Sequence, residues 1–143
     1  MNTATCADRV RPNLEERIAD IRKLWVLYND DPEAYDYELG NLYEYGLCFD
    51  YVPPGTFEDQ LEGYFRWQLS TGGPGDEFRF YADRSTNRFS GWSVYRIEYW
   101  YLDGYDGAHI DLYGEDEKLM RELFEFFAEV GVVDSEYDKA MEV

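Results

Sequence analysis

The chain has 143 residues, of which 45% are hydrophobic and 19% aromatic, so it is long enough and apolar enough to fold as a single domain around a core. Its 31 acidic residues outnumber 13 basic ones, for a formal net charge of −18. Direct binding to nucleic acid or to an anionic membrane is therefore unfavourable, because phosphate groups are held by Lys and Arg.

The sequence also lacks targeting and cofactor signals. No run approaches the ~18 apolar residues of a membrane-spanning helix, and residues 1–13 contain no apolar segment of the kind found in secretory signals. Cys6, in a predicted tail, and Cys48 match neither a disulfide framework nor a zinc motif. We therefore expect a cytoplasmic protein with reduced thiols, no metal and no other cofactor.

Two helices are predicted near the N-terminus. Residues 1–12 form a flexible tail, and Asn13 caps the first helix, with a glutamate three residues later. The Asp31-Pro32 pair predicts the start of a second helix that ends at Gly46. Apolar residues recur at helical spacing in both: Leu14, Ile18, Ile21, Trp25 and Tyr28 in the first, and Tyr35, Leu39, Leu42 and Tyr43 in the second.

Four stretches further along the chain alternate apolar and polar residues and predict β-strands: YFRWQLS, EFRFYA, SVYRIEYWYL and AHIDLY. In the third, Tyr95, Ile97 and Tyr99 are expected on the core face. A last helix is predicted over Glu115–Val130, with Gly131 closing it. Residues 132–143 are predicted to be an acidic C-terminal tail.

These elements predict an α+β fold with a single domain over residues 13–131. Its four-stranded antiparallel meander is covered on one face by the two N-terminal helices and the C-terminal helix. The side chains of the other face either pair with one another, as on any solvated sheet, or line a ligand-binding or catalytic cleft. They are Tyr64, Arg66, Gln68, Glu77, Arg79, Tyr81, Arg96, Glu98, Trp100, His109, Asp111 and Tyr113.

The negative charge lies in two blocks. Residues 24–65 contain ten acidic residues and no basic one, and residues 103–143 contain thirteen acidic and three basic ones. Solubility alone would mix both signs along the chain, so the segregation favours a binding surface. A general, halophile-like acidity is the alternative.

The first acidic block has the charge density of a nucleic acid. A 16-residue helix spans about 24 Å, and duplex DNA of that length carries roughly 14 charges, similar to the ten carboxylates between Asp30 and Glu62. A basic nucleic-acid-binding protein is therefore the predicted partner, with tyrosines as anchors. The predicted partner-binding residues are Asp30, Asp31, Glu33, Asp36, Tyr37, Glu38, Glu44, Tyr45, Glu58, Asp59, Glu62, Asp103, Asp106, Glu115, Asp116 and Glu117.

A resemblance points the same way. The run from Tyr45 through Asp59, with YFRWQLSTGGPGDEFRFYAD and IEYWYLDGYDGAHIDLYGED, is similar to small acidic proteins of plasmids, phages and conjugative elements that accompany antirestriction and anti-CRISPR functions. The similarity extends to Phe127. It implies an inhibitor of a host defence protein.

The first functional hypothesis is thus a non-enzymatic inhibitor that occupies the nucleic-acid groove of a restriction or CRISPR protein. An immunity or antitoxin protein that neutralises a basic toxin would use the same electrostatics. A small enzyme or ligand-binding domain would use the Arg/Tyr/Glu face of the sheet, although no P-loop, EF-hand or triad is present and His109 lacks a partner of fixed spacing. An exposed SVYRIEYWYL strand would permit a homodimer.

Overall fold

The computed structural model describes residues 5–86 and 88–142. Its helices are α1 (Cys6–Asp30), α2 (Leu42–Tyr45), α3 (Gly114–Glu129) and α4 (Val132–Met141). Its strands are β1 (Cys48–Val52), β2 (Tyr64–Ser70), β3 (Gly75–Arg84), β4 (Trp92–Asp103) and β5 (Asp106–Asp111). Within these described ranges, no helix is both long and apolar enough to cross a membrane.

The strands form one antiparallel meander in the order β1-β2-β3-β4-β5, and α1, α3 and α4 pack on one of its faces. The predicted α+β class and meander are confirmed, but the sheet has five strands instead of four. The missed strand, β1, is only five residues long and shows no alternation of buried and exposed positions. The two-residue alternation of apolar and polar residues, by which the other strands were predicted, therefore could not reveal β1.

Residues 6–12 are not a tail, because α1 begins at Cys6. Thr5, and not Asn13, is the N-cap: its hydroxyl accepts a hydrogen bond from the Asp8 N–H, and the Asp8 carboxylate accepts one from the Thr5 N–H. Cys6 and Val10 are buried and extend the apolar stripe that begins at Leu14. Residues 1–4 of the predicted tail lie outside the described residues.

The predicted C-terminal tail also proves wrong for residues 132–141, which form α4. Val133 is fully buried, and Asp134 accepts a hydrogen bond of 2.8 Å from the indole of Trp92. Gly131 has a positive φ of 88°, which lets the chain turn from α3 into α4. The chain therefore folds almost to its last described residue.

The second predicted helix is reduced to the four residues of α2. Residues 31–41 form turns instead, because the Asp36 carboxylate accepts hydrogen bonds from the N–H groups of Glu38 and Leu39 and so competes with helical pairing. Leu42 is buried as expected, whereas Tyr35 and Tyr43, predicted to be in the core, are 62% and 57% exposed.

One of the side chains predicted to face the core from β4 is wrong, because the strand contains a β-bulge. The pairing with β3 shifts register between Tyr81 and Ala82, so Val94 takes the core position and Tyr95 points outward. The strand also lies inside the sheet, paired with β3 on one side and β5 on the other. β5 pairs with β4 only over Glu98–Asp103, so SVYRIEYWYL is an interior strand over that part alone, and the homodimer stays a prediction.

One ionic cluster joins the helical layer to the sheet. Asp76 on β3 is only 3% exposed. Its carboxylate accepts hydrogen bonds from Arg17 Nε at 2.7 Å and Nη2 at 3.0 Å, from the Tyr99 hydroxyl at 2.6 Å, and from Ser70. Burial, together with the bond to Asp76, raises the pKa of Tyr99, so its hydroxyl stays protonated and keeps donating.

We expect Asp76→Asn to lower the free energy of unfolding by about 3 kcal/mol or more, because it leaves Arg17 largely buried without its counter-ion. Asp50→Asn is the matched control, since Asp50 also binds an arginine through two oxygens, at 3.0 and 2.7 Å, but is partly exposed. It should cost about 1 kcal/mol or less. Urea unfolding measures both values, and equal losses would contradict a dominant role for Asp76.

Candidate functional site

The strand directions divide the predicted partner-binding residues between the two ends of the sheet. Asp103 and Asp106 flank the β4–β5 turn, at the end that also carries the β2–β3 turn. The β1–β2 connection and the start of α3 lie at the opposite end. The β1–β2 connection carries the predicted residues Glu58, Asp59 and Glu62, and the start of α3 carries Glu115, Asp116 and Glu117.

Several of these carboxylates are already occupied by cations or by backbone N–H groups of the chain itself. Asp106 accepts a hydrogen bond of 2.9 Å from the N–H of Cys6, at the start of α1. The ion pairs are Asp36 with Lys23 at 2.8 Å, Asp103 with Arg9 at 2.6 Å, Glu62 with Arg96 at 2.7 Å, Asp116 with Arg22 at 3.6 Å, and Glu117 with Arg121. These acids have structural partners and present less free charge to another molecule.

Tyr45 is not the outward anchor that was predicted. Its hydroxyl donates to Asp20 at 2.8 Å and accepts from Arg17 at 3.1 Å, and its ring packs against Trp67. Burial raises the pKa of Tyr45 to about 12, so the hydroxyl remains a donor at neutral pH. Tyr37, in contrast, is 97% exposed, as predicted.

One compact stretch keeps both free charge and exposed aromatic surface; we call residues 30–44 the acidic–tyrosine loop. Among the described residues, four of its exposed carboxylates form neither an ion pair nor a hydrogen bond: Asp30, Glu33, Glu38 and Glu44. Its exposed tyrosines are Tyr35, Tyr37 and Tyr43. The rings of Tyr35 and Tyr37 lie 5.9 Å apart, and Tyr43 packs on Phe126 of α3. The sequence analysis missed two of these tyrosines because it assigned them to a buried helical stripe.

The loop is held in place from inside. Lys23 on α1 binds Asp36, and the Asp31 carboxylate, just after the end of α1, accepts a hydrogen bond from the N–H of Glu33 at 3.0 Å. Gly40, with φ of 80°, closes a backbone bridge to Asp36. The loop therefore presents its free carboxylates from a defined backbone.

The far face of the sheet carries a row of polar side chains, four of them predicted there and the fifth, Asp50, on the strand that was missed. Asp50, Arg66, Arg79, Glu98 and Asp111 are direct neighbours across the five strands. Residues 57–62 overhang it and enclose a cleft of about 590 Å³. This volume lies in the range of small-molecule pockets.

The arginines that line this cleft are paired within the chain. Arg66 binds Asp50, and Arg79 binds the buried Glu77 at 2.7 Å. The guanidinium of Arg79 also lies 4.0 Å from the ring centre of Trp100 and 4.7 Å from that of Tyr64. Of the two interpretations of this face, mutual pairing accounts for these contacts.

No protein-family model, curated protein or solved structure matches the chain. The function is therefore argued from the geometry above.

The pH dependence of stability should reveal the role of Asp36. The Lys23 ammonium and the N–H groups of Leu39 and Glu38 hold the pKa of Asp36 at about 2, below its ordinary value of 3.8. Asp36→Asn should therefore lower Tm by about 2–4 °C at neutral pH. The difference from wild type should shrink as pH falls from about 4 towards 2, where the carboxylate becomes protonated in both states.

Thermal unfolding of wild type and Asp36→Asn, from neutral pH down to about pH 2, measures this difference in Tm. Asp30→Asn removes an exposed acid of the same loop that has no ion pair in the described ranges, and should not lower Tm at neutral pH, because an acid at the end of α1 opposes the helix dipole. A loss in Asp36→Asn that persists unchanged at the lowest pH would show that its ionised form does not order the loop.

Proposed function

We propose that the protein is a non-enzymatic acidic inhibitor that binds the nucleic-acid-binding surface of a host defence protein, of the restriction or CRISPR kind. The acidic–tyrosine loop is its contact surface. Free carboxylates attract a cationic groove over distances of about 8–10 Å, and exposed tyrosines supply contact area at a small cost in conformational entropy.

The observation that carries this proposal is the coincidence, within residues 30–44, of three exposed tyrosines and four carboxylates that have neither an ion pair nor a hydrogen bond among the described residues. Elsewhere in the described chain, cations of the protein neutralise many of the predicted acids. The contact surface is thus smaller than the two charge blocks suggested. The other acids add to the long-range field that steers a basic partner.

The end of α1 supports a binding role for this charge. Asp30 is its last residue and Asp31 follows, and no basic residue lies in its last turn. The C-terminus of a helix carries partial negative charge, so acids there destabilise it. If the acids served solubility alone, they could lie at positions where they do not destabilise a helix. Their position at the end of α1 therefore favours a function that requires negative charge there.

The ligand-binding alternative has one observation in its favour, the cleft beneath residues 57–62. Its arginines are paired with Asp50 and Glu77, and the ring faces of Tyr64 and Trp100 are covered by Arg79. A ligand would have to displace these contacts, so we rank this function second. The antitoxin alternative shares the acidic–tyrosine loop and differs only in the partner.

Displacement of DNA tests the proposal directly. The wild-type protein should release a labelled DNA duplex from at least one enzyme in a panel of restriction and CRISPR effectors, and less effectively at high salt. Fluorescence anisotropy measures the release. The triple variant Asp30→Asn, Glu33→Gln and Glu38→Gln should bind that enzyme at least tenfold more weakly, because it loses three of the four free carboxylates and keeps Asp36.

Two matched controls locate the surface. Asp83→Asn, Asp138→Asn and Glu142→Gln make the same change in net charge away from the loop and should alter affinity by less than threefold. Tyr37→Ala should weaken binding, whereas Tyr105→Ala, which removes an equally exposed tyrosine at the β4–β5 turn, should not. Equal effects of the two triple variants would reject the loop as the contact surface. A basic toxin that binds while every nuclease keeps its DNA would favour the antitoxin function.

A further inference from the structure

Three potential metal ligands meet on the far face of the sheet, away from the helices. Glu98 on β4 is the direct cross-strand neighbour of Asp111 on β5, and His109 lies two residues before Asp111 on the same face. One ligand atom from each lies within 4.8 Å of the others. His109 is the only histidine in the chain.

The spacing is close to what a small divalent cation needs. His109 Nε2 lies 3.7 Å from Asp111 Oδ1 and 3.9 Å from Glu98 Oε2. Metal–ligand bonds of about 2.0–2.2 Å to N and O place ligand atoms about 3.0–3.5 Å apart. Small side-chain rotations of the exposed Asp111 and His109 would close this difference without moving the strands.

Glu98 is oriented for such a role. It is only 7% exposed, and its Oε1 accepts hydrogen bonds from the Tyr81 hydroxyl at 2.8 Å and the Trp100 indole at 2.9 Å. Its Oε2 accepts no hydrogen bond within the part of the chain that the structure describes, and it faces His109. Its other charged contact is an ion pair of 3.3 Å with Arg96 Nε, so Oε2 keeps the capacity to accept a further cation.

The ring plane of His109 is also oriented by a neighbour. Its ring stacks on Trp100, with centroids 4.4 Å apart and planes 17° from parallel. This stacking fixes the ring plane in which Nε2 lies, near both carboxylates. Outer contacts that orient ligands in this way are a regular feature of metal sites.

Among the residues that the structure describes, Arg96 is the one arginine or lysine that competes at this position. Its Nε lies 3.3 Å from Glu98 Oε2 but makes no hydrogen bond. The guanidinium is held elsewhere, by Glu62 at 2.7 Å and by the ring of Tyr81, whose centroid lies 3.9 Å away. Arg96 can therefore keep its main contacts when a second cation approaches Oε2.

We propose that Glu98, His109 and Asp111 bind one divalent transition-metal ion of the Zn²⁺ class. One imidazole and two carboxylates favour such an ion over Ca²⁺ or Mg²⁺, which prefer oxygen ligands alone. The exposed side of the site leaves further coordination positions open to solvent or to another molecule. This site is independent of the acidic–tyrosine loop and of the proposed inhibitor function.

Titration calorimetry of the full chain with Zn²⁺, and with Ca²⁺ as the comparison, tests the site. Wild type should bind one equivalent of Zn²⁺ at least tenfold more tightly than Ca²⁺. His109→Ala and Asp111→Asn should each weaken Zn²⁺ binding at least tenfold. Both positions are exposed, so circular dichroism should show an unchanged fold.

Glu129→Gln is the charge control, because it removes one exposed acid from the end of α3, on the helical side of the sheet, and should leave Zn²⁺ affinity unchanged. Addition of Co²⁺ should broaden the single histidine resonance in an NMR spectrum and leave most other signals in place. Equal affinity for Zn²⁺ and Ca²⁺, equal Zn²⁺ affinity of wild type and His109→Ala, or no Zn²⁺ binding at all would overturn the proposal.

Discussion

The ion pair between Arg17 and Asp76 is the constraint on which the arrangement of the molecule depends. It fixes α1 against β3, and Arg17 also donates to the hydroxyl of Tyr45, directly before β1. The guanidinium of Arg17 thereby links α1 to β3 and to Tyr45, near the end of the segment between α1 and β1. The acidic–tyrosine loop lies between α1 and Tyr45, so both of its ends are held, and Lys23 holds its middle through Asp36. A surface positioned in this way loses little further entropy on binding.

The charge blocks of the sequence are not blocks in space. The nearly neutral segments supply the cations: Arg9 pairs with Asp103, Arg66 with Asp50, and Arg96 with Glu62. Each of these pairs joins a neutral segment to an acidic one. Counting charge along the chain therefore estimates the total field correctly but overestimates the free charge at any one place. The loop keeps its free charge because only Asp36 in residues 30–44 has found a cation among the described residues.

Much of the fold could be predicted from periodicity, and the rest depended on contacts that periodicity does not contain. The helical stripe from Leu14 to Tyr28 and the alternation in β2, β3 and β5 predicted those elements correctly. The Asp31-Pro32 pair looked like a helix start, but the Asp36 side chain captured the backbone N–H groups that a helix would use. The bulge that turns Tyr95 outward is set by the pairing with β3, and no local pattern marks it. For the site, the acidic composition pointed to residues 30–44, while the loss of Tyr45 to the interior required knowledge of Arg17 and Asp20.

The two faces of the sheet thus handle polar groups in different ways. On the helical face, Asp76 is buried and all its strong contacts come from the chain itself, which makes it a structural group. On the far face, Glu98 is almost as buried, yet only Oε1 is hydrogen-bonded while Oε2 points to His109 and the open surface. Oε1 has a donor on β3, Tyr81, and one on β4, Trp100, whereas Oε2 has an ion pair with Arg96 at 3.3 Å and no hydrogen bond among the described residues. A carboxylate that serves only to support the fold gains stability from having both oxygens satisfied. Glu98 Oε2, which has an ion pair with Arg96 but no hydrogen bond among the described residues, is therefore the feature of this face on which the proposed cation site rests.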